Sequence, residues 1–421
     1  MKEWKTYTLA EISNGKGEYG IGAPAIPYDE NKYTYLRITD INDDGTLNKN
    51  SLMSVDAEDA NRYLLAKNDI VFARTGNSTG RSYFYDGSDG ELVYAGFLIR
   101  FRLNESIVNP RILKYYTHSK PYFDWVKSFD TGGTRGNINA KTYGDMPIHL
   151  PPISVQNRIV EILGAIDDKI EYNRRINDNL EQQAQALYKQ WFVDFEFPNE
   201  EGKPYKSSGG KMADSELGPI PDGWRVGLLK DIVDFQSGFP FKSELFSEQG
   251  TYRLITIKGV QDGYLDVNGA VYIKNIPDRM PQYCLLTEGD IIMSLTGNVG
   301  RCCIVDRENL LLNQRVVKLQ PTFINSNMFI YTMFRRESFK EKLIALAKGT
   351  AQANLSPIET ANMRTITPSA SCLVRFNKLG QSIFKQLLKN IKENNRLAAL
   401  RDTLLPKLMS GELSVDDVSV D

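Results

Sequence analysis

Histidine and cysteine, the residues that most often bind transition metals or carry acid–base and nucleophilic chemistry, are scarce in this chain. Its 421 residues include only 2 histidines and 4 cysteines. With His118 and His149 alone, histidine chemistry has few candidates, and both are interpreted as structural. The cysteines have no metal-ligand spacing, and the adjacent Cys302 and Cys303 would alternate faces on a strand. The sequence therefore predicts no metal site and reduced thiols.

Long apolar runs and a charge imbalance are also missing. No run approaches about eighteen apolar residues, and the start MKEWKTYTLAE lacks the apolar centre of a signal peptide. A cytoplasmic chain without membrane insertion is therefore expected. The 51 basic and 52 acidic residues nearly cancel, which by itself does not indicate nucleic-acid binding. The locally basic stretch 111–149 is compatible with DNA binding and equally with a solvated surface.

Catalytic signatures are absent from the sequence as well. It has no G-x-x-x-x-G-K-[ST] phosphate loop, no glycine-rich turn for a nucleotide or S-adenosylmethionine, and no carboxylate cluster with nuclease spacing. Three classes of protein stay open on the residues alone. They are a DNA-recognition subunit, a stand-alone DNA-processing enzyme such as a nuclease, and a scaffold protein that does not contact DNA.

The most regular feature that is present is a heptad pattern from about Val155 to Phe195. Apolar residues recur at alternating steps of four and three with one polar interruption, as in a coiled-coil strand. At about 1.5 Å per residue such a helix would span roughly 60 Å, longer than a small domain is wide. Its seam positions are Ile159, Leu163, Ile166, Ile170, Asn173, Asn177, Leu180, Ala184, Leu187 and Trp191.

A second helix of the same kind lies 217 residues further along the chain, as 390 − 173 shows. Asparagines near the middle of both helices would meet in an antiparallel pair and fix its register. The alternative is that they mark exposed turns of two unrelated helices. We predict an antiparallel coiled coil with Asn173, Asn177, Asn390 and Asn394 as register residues. The second seam is Phe376, Gly380, Ile383, Leu387, Asn390, Asn394, Leu397, Arg401, Leu404 and Leu408.

The rest of the chain is an internal repeat. In residues 1–152 and 224–369, strand-like runs alternate with turns rich in Gly, Asn and Asp. From Pro110 to Lys127 the chain is predicted to be helical apart from the internal Pro121, and the aromatic residues of this stretch are interpreted as buried rather than stacked on bases. Asp290 lies 221 residues beyond Asp69 (290 − 69), and the turn Thr296-Gly297-Asn298 lies at the same offset from Thr75-Gly76-Asn77. The sequence thus predicts an α+β fold, in which two pseudo-repeated mixed α/β domains are separated by the two long helices.

Two short motifs in each copy combine glycine with hydrogen-bonding side chains. RTGNSTGR (74–81) and SLTGNVGR (294–301) predict tight hairpins in which Gly and Asn take positive φ. TGGTRGNIN (131–139) and KGTAQANLS (348–356) are typical of loops that enter a DNA groove, where Arg suits guanine and Asn or Gln suits adenine. A purely structural role for the turns is the alternative. The candidate DNA contacts are Arg74, Thr75, Asn77, Ser78, Arg81, Thr134, Arg135, Asn137, Asn139, Thr296, Asn298, Arg301, Thr350, Gln352 and Asn354.

Throughout its length the chain resembles the specificity (S) subunits of type I restriction-modification systems. The resemblance is carried by the repeated T-G-N-x-(x)-G-R turns, the G-(G)-T-x-x-x-N-[IL] loops, the two long helices and the strings QNRIVEILGAIDDKIEYNRRINDNLEQQAQALYKQWFVDF and SELGPIPDGW. It implies non-catalytic recognition of double-stranded DNA, each domain reading one half of a bipartite site. It also implies that the helices set the spacing and dock two methyltransferase (M) subunits, and that restriction/translocase (R) subunits join the complex. S-adenosylmethionine, ATP and Mg²⁺ would then belong to those partners.

The resemblance implies this domain order: target recognition domain 1 (1–152), long helix 1 (153–197), a linker (198–223), target recognition domain 2 (224–369), long helix 2 (370–411) and an acidic tail (412–421). The chain departs from the pattern at Gly380 and Arg401, which stand at seam positions. The second loop also has no direct equivalent of Arg135. These departures predict asymmetric docking on one side and a contact that the two loops do not share.

Overall fold

The computed structural model describes residues 4–129, 136–347 and 353–418, with two compact units. Unit 1 consists of Met1–Lys169 with Leu397–Asp421, and unit 2 of Ile170–Arg396. Each unit therefore contains one copy of the repeat and a segment of both long helices. The predictions for Thr134, Arg135, Thr350 and Gln352 lie outside the described residues.

The first copy consists of short strands and short helices, and a long helix follows it. They are β1 (Lys5–Thr8), β2 (Glu18–Tyr19), β3 (Ile26–Pro27), β4 (Tyr33–Leu36), β5 (Met53–Val55), β6 (Asp69–Ala73), β7 (Ser82–Phe84), β8 (Leu92–Tyr94), β9 (Leu98–Arg102), α1 (Arg111–Tyr116), α2 (Lys120–Lys127), α3 (Ala140–Gly144), β10 (Pro147–Leu150) and α4 (Ile153–Tyr188).

The second copy repeats this order with additional short strands. Its elements are β11 (Met212–Ala213), β12 (Ile220–Pro221), β13 (Arg225–Leu228), β14 (Val233–Ser237), β15 (Phe246–Ser247), β16 (Tyr252–Ile255), β17 (Tyr272–Ile273), β18 (Leu285–Leu286), β19 (Ile291–Ser294), β20 (Cys302–Ile304), β21 (Leu310–Leu312), β22 (Val316–Pro321), α5 (Asn327–Arg335), α6 (Glu337–Leu346), α7 (Pro357–Ala361), β23 (Arg364–Thr367) and α8 (Ala370–Ser410).

The sheets of the two units have corresponding strand orders, with one additional strand in the mixed sheet of unit 2. The antiparallel sheet β2-β9-β6-β7 of unit 1 matches β14-β22-β19-β20 of unit 2. The mixed sheet β3-β5-β4-β8 matches β15-β17-β16-β21-β18, and each contains one parallel pair, β4 with β8 and β16 with β21. A two-stranded pair, β1 with β10 or β13 with β23, brings the chain to the start of a long helix. The predicted repeat and fold class are confirmed.

The central strands are buried on both faces, which explains their continuous apolar runs. All five residues of β6 and all four of β19 are buried. On β20, Cys302 packs in one hydrophobic cluster and Cys303 in another, so the predicted alternation of faces is confirmed. All four cysteines are free and buried.

The two long helices run antiparallel in both units, as predicted. In unit 1, an ion pair joins Asp167 of α4 to Arg401 of α8 at 3.1 Å. In unit 2, Asn390 Nδ2 donates to Asn177 Oδ1 at 2.8 Å and Asn173 Nδ2 donates to Asn394 Oδ1 at 2.9 Å. The four asparagines therefore meet as two cross-helix pairs rather than marking exposed turns.

Both unusual seam residues have a specific neighbour. A Cβ at Gly380 would lie 3.0 Å from Met328 Cβ, so glycine lets α5 approach α8 closely. Arg401 reaches Asp167, whose carboxylate also accepts from Lys114 Nζ at 2.8 Å and Tyr115 Oη at 3.1 Å. Burial raises the pKa of Asp167, but Lys114 and Arg401 more than offset this, so its pKa lies below the ordinary value.

The structure differs in three details from the local predictions. The helical stretch predicted over 110–127 is two helices. The first ends at Tyr116, and α2 begins at Lys120 with Pro121 in its first turn. Of its aromatic residues, Tyr115, Tyr116 and Tyr122 are buried as predicted. The first long helix changes to a π-helical turn at Lys189–Val193 and does not extend to Phe195.

The third difference concerns the segment interpreted as a linker, which folds against unit 2. Within it, Tyr205 stacks on Phe197 with ring centroids 4.5 Å apart, Ile220 is buried in the unit 2 core, and β11 pairs with β12. The described part of the acidic tail is likewise packed, since Val415 is buried in the unit 1 core.

Candidate nucleic-acid interface

The two T-G-N turns connect equivalent strands, β6 to β7 in unit 1 and β19 to β20 in unit 2. Positive φ occurs at glycine only, at Gly76 (75°) and Gly80 (88°), and at Gly297 (75°) and Gly300 (80°). The expectation that the asparagine also takes positive φ is wrong, because Asn77 lies in a 3₁₀ turn, Gly76–Ser78. The asparagine side chain is thereby left at the surface.

Two buried tyrosine side chains donate hydrogen bonds to the backbone of the unit 1 turn and of the strand before it. Tyr122 Oη of α2 donates to Gly80 O at 2.5 Å, and Tyr143 Oη of α3 donates to Ala73 O at 2.9 Å. A Cβ at Gly80 would lie 2.6 Å from Val126 Cγ1, so the position requires glycine for its packing as well as its φ. The turn is thus rigidly supported by two short helices.

In unit 1 the turn and the recognition loop lie side by side. Ile138 N donates to Arg74 O at 2.9 Å, and Thr79 Oγ1 donates to Gly136 O at 2.9 Å. Asn137, between these two contacts, is exposed. Two motifs that are about sixty residues apart in the sequence therefore form one continuous surface.

Unit 2 repeats this arrangement. Leu355 N donates to Leu295 O at 2.8 Å, and Gly297 N donates to Ala353 O at 3.1 Å. Thr296 Oγ1 donates to Asn354 Oδ1 at 2.8 Å, which orients the exposed Asn354 amide, and no acceptor among the described residues pairs with its Nδ2. Such an amide can pair with an adenine edge.

Two candidate arginines of the turns, Arg81 and Arg301, have partners within the chain. Arg81 donates to Ile41 O at 3.0 Å and forms an ion pair with Asp43 at 2.6 Å. Arg301 donates to Gln261 Oε1 at 2.6 Å in the equivalent place of unit 2. Both guanidinium groups thus connect a turn to the loop that follows an equivalent strand of the mixed sheet, β4 in unit 1 and β16 in unit 2.

The other candidates divide into exposed and buried side chains. Asn77 and Asn298 are exposed, whereas Ser78 and Thr296 are buried. Asn139 caps α3 by accepting from Thr142 N at 2.9 Å. The exposed amides are therefore the candidates best placed to meet a ligand.

Two aromatic residues beside Arg74 were not found from the sequence. The Arg74 guanidinium carbon lies 5.2 Å from the ring centroid of Tyr19 and 5.9 Å from that of Phe97. These rings are 43% and 55% exposed. The exposed aromatics on β2 and before β9 could have been noticed, but nothing local in the sequence places them against Arg74.

An ion pair lies on the same sheet in both units, buried in unit 1 and partly buried in unit 2, and explains the matched aspartates. Asp69 Oδ2 accepts from Ala66 N at 2.8 Å and lies 3.6 Å from Arg100, with burial raising the Asp69 pKa. Asp290 likewise accepts from Thr287 N at 2.9 Å and pairs with Lys318 at 2.9 Å. This repeated feature is structural.

Unit 2 also links α4 to its recognition turn through a polar network. Glu181 accepts from Tyr331 Oη at 2.8 Å and pairs with Arg335 at 3.0 Å. Burial raises the pKa of Glu181, and Arg335 opposes this. A Cβ at Gly263 would lie 2.0 Å from Arg335 Nη1, so glycine lets this arginine pack against the loop that holds Arg301.

The histidines have structural surroundings. His149 stacks on Trp4 with centroids 5.3 Å apart, and the His118 ring lies 2.8 Å from Lys114 O. Among the residues with described structure, no group of three or more His, Cys, Asp or Glu could hold a metal ion. No helix in that part of the chain is long and apolar enough to cross a membrane.

Comparison with known proteins identifies the family of this repeated architecture. The family model described as the type I restriction modification DNA specificity domain matches residues 1–182 and 221–399, one match for each copy. The chain belongs to this family. The interpretation as a specificity subunit rather than an enzyme is thereby confirmed over the nuclease and scaffold alternatives.

Individual relatives agree over most of the chain. It is 26% identical to the type I restriction enzyme HindI specificity subunit of Haemophilus influenzae, covering 98% of this chain and 100% of that one. It is 27% identical to the MjaIX specificity subunit of Methanocaldococcus jannaschii, over 73% and 69% of the two chains. The fold is similar to the crystal structure of an S subunit from M. genitalium, with a TM-score of 0.50 and 17% identity over 97% of this chain and 96% of that one.

Proposed function

We propose that this type I specificity-family chain recognises double-stranded DNA, with the turn and loop of each unit reading one half of a bipartite site. The observation that carries the proposal is the repeated turn–loop surface. The backbone hydrogen bonds from Ile138 to Arg74 and from Leu355 to Leu295 are equivalent, whereas the side chains around them differ. A common scaffold with different side chains suits two reading surfaces of different specificity.

The long helices, in this proposal, set the gap between the half-sites and dock two methyltransferase subunits, with restriction/translocase subunits joining through the complex. The cross-helix asparagine pairs support the first part, because a polar pair in an apolar seam holds one register. S-adenosylmethionine, ATP and Mg²⁺ belong to the partner subunits, and this chain supplies recognition in the cytoplasm.

The test is a selection from a pool of randomised DNA duplexes, using the full chain co-purified with its methyltransferase partner. The expected result is one bipartite motif with a fixed gap and an affinity that falls with salt. A parallel incubation of the chain alone with DNA, Mg²⁺ and S-adenosylmethionine should give neither cleavage nor methylation. Turnover by the isolated chain would favour an enzyme, and a partner complex without salt-dependent DNA affinity would favour a scaffold.

A further inference from the structure

Each unit has an arginine beside its recognition loop, but at a different strand. The arginine follows β6 in unit 1 and precedes β22 in unit 2. In unit 1, Arg74 N donates to Phe97 O at 3.1 Å, and in unit 2, Leu295 N donates to Arg315 O at 2.9 Å. Arg74 and Leu295 directly follow the equivalent strands β6 and β19. Phe97 and Arg315 directly precede the equivalent strands β9 and β22. Arg74 is therefore equivalent to Leu295, and Phe97 to Arg315.

The same loop contact supports this equivalence. Arg74 O accepts from Ile138 N, and Leu295 O accepts from Leu355 N. At one backbone pair, unit 1 thus has arginine on the turn and an apolar ring opposite, whereas unit 2 has an apolar side chain on the turn and arginine opposite. Leu295 is buried in the unit 2 core, so the exposed side chain of this pair is that of Arg315.

Arg315 has two properties of a residue held for binding. It is exposed, and its φ of 69° lies in the left-handed region, which is unfavourable for a side chain with a Cβ and is enriched at functional sites. Over the described ranges, no carboxylate forms an ion pair with Arg315 or Arg74. The Arg74 Nε is buried without a hydrogen-bond partner.

We propose that Arg315 is the base-reading arginine of unit 2, in the place that Arg74 takes in unit 1. Each guanidinium donates to a base edge in its own half-site, with guanine O6 and N7 as the chemistry that fits two parallel N–H donors. The neighbouring amides, Asn354 and Asn137, read adjacent positions. This assignment rests on the proposed recognition of DNA and adds a residue that the turn and loop motifs do not include.

The experiment compares Arg315→Gly, Arg315→Ala and Arg74→Ala in the full chain with its methyltransferase partner, by selection from randomised duplexes and by titration of the selected site. Arg315→Gly is decisive because it removes the contact while relieving the positive φ, so its melting temperature should equal or exceed that of the wild type. We expect one base position of one half-site to lose its preference and affinity for the intact site to fall about 5- to 150-fold. Arg74→Ala should relax a position in the other half-site only.

Arg225→Ala is the matched control. Arg225 is exposed on β13 and pairs with Asp231 at 3.5 Å, outside the turn and loop, so its loss removes one positive charge without removing the contact. Both half-sites should be retained. The assignment would be overturned if Arg315→Gly selected the same DNA site as the wild type. It would also be overturned if the variant lost affinity equally for every duplex, as expected for a phosphate contact. Either result would leave the proposed function standing. Failure of the wild-type complex to select any bipartite site would overturn both.

Discussion

At the scale of single residues, the turn–loop surface depends on side chains that orient other side chains. Thr296 is buried and donates to Asn354 Oδ1, so the hydroxyl decides which edge of the exposed amide faces outward. Thr296→Val removes this donor at similar volume. We expect affinity for the second half-site to fall by about 0.5–1.5 kcal/mol, or roughly two- to tenfold, in a duplex titration.

Thr296→Ser retains the hydroxyl and is the control for that substitution. It should bind like the wild type, and neither variant should change the half-site read by unit 1. Equal affinity of Thr296→Val and Thr296→Ser would mean that the hydrogen bond does not position the Asn354 amide.

A pH dependence of stability is expected from His118. Burial lowers its pKa from 6.5 in the folded chain, and Arg401 and Lys114 lower it further, while the bond to Lys114 O and the charge of Asp44 oppose the shift. The unfolded chain therefore binds the proton more readily. His118 stabilisation is present above about pH 6.5 and is lost as the pH falls through the folded-state pKa. The free energy of unfolding should thus decrease from about pH 7 to pH 5.

His118→Gln should flatten that decrease, since an amide does not titrate and can still donate to Lys114 O. Denaturant unfolding at several pH values measures the slope. An unchanged slope in the variant would assign the pH dependence to other groups.

At the residue scale, some features of the candidate site could be predicted from the sequence and others could not. Glycines and exposed asparagines of the turns were predictable, because their spacing repeats in both copies. The role of Arg81 and Arg301 in holding a distant loop was not. Arg315 was missed because its equivalence to Phe97 follows from strand pairing. Alignment of the turn motifs shows only that Leu295 is the equivalent of Arg74. Aligning GFLIR (96–100) with QRVVK (314–318) is the signal that would have revealed the exchange.

At the scale of elements, the asparagine pairs make a prediction about the helix seam. Asn390 is buried and donates to Asn177 Oδ1, so Asn390→Leu leaves a partly buried acceptor without its donor. We expect a loss of about 1–3 kcal/mol in the free energy of unfolding, measured with denaturant. The double variant with Asn177→Leu should recover most of this loss, because both polar groups are then replaced. A double variant as unstable as the sum of the single ones would contradict the pairing.

The long helices were predictable because heptad spacing fixes which side chains face the partner, and Asn173 and Asn390 are buried as the seam requires. Their ends were less predictable. The π-helical turn after Tyr188 belongs to an aromatic cluster in which Phe192 packs on Phe376 at 4.8 Å and on Phe329 at 4.9 Å. Composition suggested a linker at 198–223, but the stacking of Tyr205 on Phe197 and the burial of Ile220 depend on residues that come together only in the fold.

At the scale of the whole molecule, the proposal that the helices determine the half-site gap is tested by lengthening them together. One heptad is inserted into α4 between residues 170 and 173 and another into α8 between 394 and 397, so that the asparagine pairs are kept. Each insertion adds about 10 Å of helix, which corresponds to roughly three base pairs at 3.4 Å each. We expect unchanged half-sites with a gap about three base pairs longer.

Affinity of the lengthened chain is expected to fall, because three base pairs also rotate the DNA by about a third of a turn. The readout is the gap length recovered from a randomised pool. Recovery of the original gap at full affinity would show that the helices do not set it.

The division of recognition between the two copies is the central claim, and a domain exchange tests it most directly. Residues 1–152 end immediately before α4, so they can be replaced by the equivalent domain of a relative while both long helices are kept. Bound sites are then selected from a randomised duplex pool by the chimera with its methyltransferase partner, beside the reciprocal exchange of residues 224–369. The account predicts that each exchange changes one half-site, a different one in each case, and leaves the other half-site unchanged. A change in both halves, or in neither, would contradict it.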